Sequence, residues 1–136
     1  PLAGNSIRNP LDVWLVQELV DLFRRCIEIA VADPAIDLVI VDRYAGEDDD
    51  DRPDHEEQQR QVNNFIIDFA KKNPFSKPVV VAMNTLNHDP ASVVLAAKVR
   101  IQIALAGVPT FSSQANATRA LARFIRYHEF QAQSWD

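Results

Sequence analysis

The chain has almost no cysteine and no long apolar run. Each absence excludes a class of protein. A single cysteine, Cys26, among 136 residues rules out an internal disulfide, so nothing in the composition favours an oxidising compartment. No apolar run approaches the roughly 18 residues of a membrane span. No signal-peptide pattern opens the chain either. We therefore expect a cytoplasmic protein without a membrane partner.

Clustered basic charge is also lacking, which argues against nucleic acid as a partner. The formal net charge is −5, but residues 47–57 hold eight of the nineteen acidic residues and one of the fourteen basic ones. The remaining eleven acidic and thirteen basic residues give a balance of +2. The acidity is therefore one local block on a near-neutral domain, and it most simply forms a solvated loop and helix start.

Methionine is nearly absent as well. The chain begins at Pro1 and its only methionine is Met83, which predicts a fragment of a longer polypeptide. The apolar fraction of 47% and charged fraction of 24% are ordinary globular values. With 136 residues, the chain is long enough for one hydrophobic core, so we expect a single domain over residues 1–136.

Hydrophobic spacing predicts helices and strands in alternation. The predicted helices cover 13–32, 53–72, 91–106 and a segment that starts after Ser112 or Ser113; the predicted strands cover 38–41, 79–83 and 108–111. Gly107 is expected to close the third helix, and Ala117, Ala120, Leu121, Phe124 and Ile125 are expected to form the buried stripe of the last helix. Strands that alternate with long helices indicate parallel pairing through right-handed crossovers. The predicted fold is a small doubly wound α/β domain with helices on both faces of its sheet.

Ligands of such sheets bind at the carboxyl ends of the strands, which here means residues 42–46, 84–89 and 112–113. The candidate residues for a phosphate-binding or interface loop are Tyr44, Ala45, Gly46, Asn84, His88, Ser112 and Ser113. Helix capping is an alternative role for the two serines. Asp48 to Asp51 with His55 could be interpreted as a cation cluster, but they lack a ligand spacing, so we expect no metal site.

Four segments, in order along the chain, resemble one family. They are Asn9-Pro10-Leu11-Asp12 before a helix, Asp33-Pro34-Ala35-Ile36-Asp37 before the first strand, Lys77-Pro78 before the second, and Gly107-Val108-Pro109-Thr110-Phe111 before the last helix. Together they resemble the carboxy-terminal, flavodoxin-like subdomain of NDP-forming acyl-CoA synthetases, which include succinyl-CoA synthetase. The resemblance implies a flavodoxin-like sheet of three or four strands. It also implies a linker segment over residues 1–12, in which Asn9, Pro10 and Asp12 have structural roles.

The family's chemistry is acid-thiol ligation through a phosphohistidine. The resemblance implies that the parent protein uses CoA and ATP or ADP with magnesium. It also implies partner domains or subunits that bind CoA, carry the histidine and form an ATP-grasp module. This chain resembles none of those three, so we expect it to hold no cofactor, to have no catalytic residue and to be inactive alone. Its role would be structural and interface-forming.

The chain departs from the synthetase family at one loop, and a different family is a second possible assignment. The family has a Gly-Gly pair after the first strand, where this chain has Tyr44-Ala45-Gly46 followed by acidic residues that would repel a phosphate. A degenerate, non-catalytic binding or regulatory module is therefore an alternative. A phosphoacceptor receiver domain with Asp42 as its acceptor fits poorly, because no lysine follows Thr110.

Overall fold

The computed structural model describes residues 20–45, 55–72, 77–85 and 89–133, with only the backbone of residues 55 and 56. Within these ranges the chain forms four helices and three strands. They are α1 (Val20–Ala32), β1 (Val39–Ala45), α2 (His55–Lys72), β2 (Val79–Thr85), α3 (Pro90–Leu105), β3 (Thr110–Phe111) and α4 (Gln114–Gln133). The predicted order α-β-α-β-α-β-α is confirmed. Residues 13–19 of the first predicted helix and 53–54 of the second lie outside the described residues.

The strands form a parallel sheet in the order β1-β2-β3. In β2 the first five residues are buried, as expected of a central strand covered on both faces. Val81 pairs with Thr110 and Ala82 with Phe111. The predicted class, a small flavodoxin-like α/β fold, is confirmed.

The strand ends differ from the predicted ones. β1 continues to Ala45 and β2 to Thr85, although the prediction ended them at 41 and 83. The polar residues Asp42 and Asn84 were interpreted as the start of loops. In the structure both residues lie within the strands, and Asn84 Nδ2 donates a hydrogen bond to Asp42 Oδ1 at 2.6 Å. β3 is shorter than predicted.

The described residues fall into two compact units. In the first unit, α1 packs against α2. Phe23, Ile27 and Val31 recur every four residues and form the buried face of α1. The rings of Phe23 and Phe65 meet edge to face, with centroids 6.1 Å apart. The helix ends at Ala32, as predicted. The carboxylate of the next residue, Asp33, accepts a hydrogen bond from the Ala35 N–H at 2.8 Å.

In the second unit, α3 and α4 each pack against β2 and β3. α3 ends in a left-handed turn at Gly107, whose φ is +91°. Gly107 N–H donates to the Ala104 carbonyl and Val108 N–H to the Ile103 carbonyl, the paired bonds of a Schellman motif. Ile103 and Val108 are both buried beside this turn. The predicted closure by Gly107 is confirmed.

The predicted stripe of α4 is wrong in its second half. Ala117 is fully buried, and Ala120 and Leu121 are half-buried. Phe124 and Ile125, however, are 57% and 43% exposed. Burial along α4 ends at residue 122, and every residue from 123 to 133 is exposed. The pattern therefore continues beyond the part of the helix that the rest of the unit covers.

Candidate functional site

Asp42 is the centre of a polar cluster at the carboxyl end of the sheet. Its two carboxylate oxygens accept hydrogen bonds from Asn84 Nδ2 at 2.6 Å and from Gln114 Nε2 at 2.7 Å. The Tyr44 hydroxyl donates a third bond at 3.2 Å. One carboxylate thus connects the end of β1, the end of β2 and the first turn of α4. We refer to Asp42, Tyr44, Asn84 and Gln114 as the Asp42 cluster.

Burial dominates the electrostatics of this carboxylate. Partial burial raises the pKa of Asp42 above its ordinary value of 3.8, and the bonds from Tyr44, Asn84 and Gln114 offset this only in part. All three side-chain donors are uncharged, so none of them neutralises the carboxylate. Ionisation of Asp42 is therefore less favourable in this cluster than in water.

Arg43 lies between Asp42 and Tyr44 in β1 and points to the other face of the strand. Its side chain is only 1% exposed, and burial lowers its pKa to about 10. Arg43 stays charged at neutral pH even so, since its pKa remains far above 7. Its guanidinium is separated from any ligand that approaches the Asp42 cluster from solvent.

Ser112 and Ser113 organise the start of α4. The Ser113 hydroxyl accepts a bond from the Asn116 N–H at 3.2 Å, which confirms the capping role. The Ser112 hydroxyl accepts from Asn116 Nδ2 at 2.8 Å, and Arg119 donates to Asn116 Oδ1 at 2.9 Å. These groups bond to one another within the helix start.

The structure brings together part of the predicted set. Tyr44 and Asn84 meet at Asp42, whereas Ala45 is a buried residue at the end of β1. Five other predicted residues lie outside the described residues, namely Gly46, His88, Asn9, Pro10 and Asp12. Sequence reasoning placed Asp42 at this edge of the sheet and considered it only as the acceptor of a poorly fitting receiver domain, and it missed Gln114. The sequence could have indicated Gln114, because it directly follows the two serines that were expected at the carboxyl end of β3.

The first turn of α3 is also capped by a side chain. Asp89 is its N-cap, and its carboxylate accepts a bond from the Ser92 N–H at 2.9 Å. This bond lowers the pKa of Asp89. The Ser92 hydroxyl is fully buried and has no hydrogen-bond partner. A carboxylate therefore stands where an anion would meet the helix dipole.

The described part of the chain contains no group of three or more His, Cys, Asp or Glu side chains placed to hold a metal ion. Asp48 to Asp51 lie outside it. None of its helices is both long enough and apolar enough to cross a membrane. The cluster thus offers hydrogen-bonding groups and a single carboxylate, a set that suits bonding within the protein and disfavours an anion.

No protein-family model, curated protein or solved structure matches the chain. The resemblance to acyl-CoA synthetases therefore stays a prediction.

Proposed function

We propose that this chain is a structural, interface-forming subdomain of an NDP-forming acyl-CoA synthetase-like protein of the cytoplasm. The parent would join a carboxylic acid to CoA through a phosphohistidine, with ATP or ADP and magnesium. The CoA-binding, histidine-bearing and ATP-grasp parts would be the partners of this chain. The chain itself would bind no nucleotide and carry no reacting group.

The observation that carries this proposal is the Asp42 carboxylate at the carboxyl edge of the sheet. A phosphate site at this edge would need free donors and positive charge. Here the amides of Asn84 and Gln114 already donate to a carboxylate. A negative group therefore occupies the place that a phosphate would take, which supports a role other than phosphate binding.

The outer face of α3 supports the interface-forming part of the proposal. This helix has apolar residues around its whole circumference, a pattern typical of a helix covered on all sides. Val93, Val94, Ile101 and Leu105 are nevertheless 49%, 52%, 58% and 84% exposed. A neighbouring domain of the parent would cover this apolar face.

A thermal-unfolding experiment tests the anion argument on this chain. We expect about 10 mM inorganic phosphate to leave the melting temperature unchanged within about 1 °C, relative to chloride at equal ionic strength. Asp42→Asn is the matched variant, because it removes the charge and keeps the size. A rise in melting temperature of the unaltered chain with phosphate would contradict the proposal.

A second experiment tests the parent and separates the alternative. We expect the polypeptide purified from its native host to have several times the 15.3 kDa of this chain. Exposure of that protein to labelled ATP should give acid-labile phosphate on histidine. The degenerate regulatory module, also consistent with Asp42 in place of an anion site, predicts the large mass without the labelled histidine. A native product near 15.3 kDa without a partner subunit would contradict the synthetase proposal and favour a stand-alone binding module.

A further inference from the structure

The hydrogen bonds of the Asp42 cluster determine which groups it presents to solvent. Asn84 and Gln114 each donate to Asp42 through the side-chain N–H, so each turns its carbonyl oxygen away from the carboxylate. Neither of these carbonyl oxygens accepts a hydrogen bond from a described residue. The cluster therefore presents two acceptors, Asn84 Oδ1 and Gln114 Oε1, that the described residues leave unused.

The two acceptors and a neighbouring aromatic ring can be reached from solvent. Gln114 is an exposed residue, and Asn84 is half-buried, with no side-chain oxygen that is both buried and unpartnered. Tyr44, whose hydroxyl bonds to the same carboxylate, is 39% exposed. The face of an aromatic ring attracts a cation, and a planar guanidinium also stacks on it. The accessible part of the cluster thus combines carbonyl oxygens with an aromatic ring.

No basic side chain offsets the carboxylate of the cluster. The side chains that bond to Asp42 are uncharged, and the next residue, Arg43, acts on it only through its backbone N–H. The guanidinium of Arg43 lies on the other face of the strand and is buried there. A cation at hydrogen-bonding distance would favour the ionised carboxylate and so offset the effect of its burial. The cluster therefore combines unused acceptors with a carboxylate that lacks a counter-charge.

A guanidinium group suits this arrangement better than a metal ion or an ammonium group. The described residues hold no group of three or more His, Cys, Asp or Glu side chains placed for a metal ion, and Mg²⁺ or Ca²⁺ takes about six oxygen ligands or more. An ammonium is a compact, strongly hydrated charge, whereas a guanidinium is planar, more weakly hydrated and carries several donors in one plane. Those donors can bond to acceptors on two elements, β2 and α4, while the plane stacks on Tyr44.

We propose that the Asp42 cluster binds the guanidinium group of an arginine side chain that belongs to a partner domain. The N–H groups of the guanidinium donate to Asn84 Oδ1 and Gln114 Oε1, and its plane stacks on Tyr44. Its charge neutralises Asp42 without displacing the donors already bonded there. This inference deepens the interface-forming role in the proposed function and rests on it. Its test uses this chain with a small probe, so a failure is distinguishable from a failure of the mass and histidine-labelling experiment on the parent.

Titration of the isotopically labelled chain with methylguanidinium, followed by nuclear magnetic resonance, tests the proposal. The side-chain amide signals of Asn84 and Gln114 report on the two carbonyl groups directly. We expect them to shift in a saturable manner, with a dissociation constant of about 1 to 20 mM. Methylammonium should bind at least about threefold more weakly, because it lacks the planar set of donors. Methylurea has a similar shape without the charge and should give no saturable shift.

Three variants assign the binding to the cluster. Asp42→Asn removes the carboxylate and keeps its size, and it should weaken methylguanidinium binding at least about fivefold. Tyr44→Leu removes the ring and should weaken binding about threefold. Asp33→Asn is the matched control, because it alters an exposed carboxylate of the first unit that lies outside the cluster, and it should leave binding unchanged. The backbone amide spectrum of each variant reports whether the fold is kept.

Several outcomes would overturn the proposal. One is the absence of a saturable shift at up to about 50 mM methylguanidinium. Others are methylurea or methylammonium binding as tightly as methylguanidinium, and equal weakening by Asp33→Asn and Asp42→Asn. A folded Asp42→Asn variant that binds as tightly as the unaltered chain would also overturn it. If Asp42→Asn does not fold, Tyr44→Leu decides, and unchanged binding by that folded variant rejects the proposed site.

Discussion

Asp42 is a carboxylate for which burial and hydrogen bonding act in opposite directions. Burial raises its pKa, and bonds from Asn84, Gln114 and Tyr44 lower it by less. The charged form is thus less favourable in the folded chain than in the unfolded chain, even though the bonds join three elements. The hydrogen bonds of Asp42 hold β1, β2 and α4 together at the carboxyl end of the sheet, while the burial of its charge opposes folding.

This balance predicts a pH dependence of stability. Because the pKa of Asp42 is raised above 3.8, the folded state binds this proton more tightly than the unfolded state. Its contribution to the free energy of unfolding should therefore rise as pH falls through the window from the raised pKa down to 3.8, and level off below it. Urea unfolding of the unaltered chain and of Asp42→Asn, from pH 7 to about 3.5, isolates the difference. If the unaltered chain instead lost stability relative to Asp42→Asn as pH fell, the hydrogen bonds to the charged form would dominate over burial.

Gly107 is the residue whose backbone conformation closes α3. Its φ of +91° strains any residue with a Cβ, although a Cβ built there would meet no atom within 4 Å. We expect Gly107→Ala to lower the free energy of unfolding by about 1 kcal/mol, entirely through the backbone. Gly107→Asn should cost less, since asparagine tolerates the left-handed region better. Equal stability of all three proteins in urea would contradict this account.

At the level of elements, α3 shows that composition alone does not decide which face of a helix is buried. Its apolar residues lie on all sides, so the sequence predicted the helix but not which of its faces is buried. Ile103 is fully buried, whereas Ile101, two positions earlier, is 58% exposed. The packing against β2 and β3 makes this distinction.

Two substitutions on α3 compare the contribution of its buried face to stability with that of its exposed face. Ile103→Ala leaves a cavity beside the helix end and should lower the free energy of unfolding by about 3 kcal/mol. Ile101→Ala changes the same side chain on the exposed face and should cost less than about 0.5 kcal/mol. Urea denaturation of both variants checks the contrast. Similar losses at the two positions would mean that the outer face of α3 is covered in solution.

For α4, the sequence predicted the apolar face correctly but not how much of it is buried. The sequence predicted a helix with one apolar stripe, and the stripe exists, but only its first half is buried. Phe124 lies on the same face as Ala117, and nothing local to the sequence distinguishes an apolar residue that meets the sheet from one beyond it. Burial depends on how far the neighbouring elements extend, which local periodicity does not encode.

For the molecule as a whole, charge is the property that the sequence describes most completely. Replacing the eight acidic residues of 47–57 by their amides changes the formal net charge from −5 to +3. We expect the unaltered chain to bind an anion exchanger at pH 7 and this variant to bind a cation exchanger. Replacing eight acidic residues spread over the rest of the chain is the control for charge, and it should move the net charge equally. A variant of 47–57 that still binds the anion exchanger would contradict the count.

The sequence by itself determined the element order, the parallel α/β class, the glycine closure of α3 and the serine cap of α4. Each of these depends on local chemistry: the period of apolar residues, the conformational freedom of glycine and the reach of a hydroxyl to a nearby N–H. Tertiary structure alone decided the partners of Asp42, the exposure of Phe124 and the open groove between α1 and α2. Gln114 lies 72 positions from Asp42, and such contacts arise only when separate elements pack together.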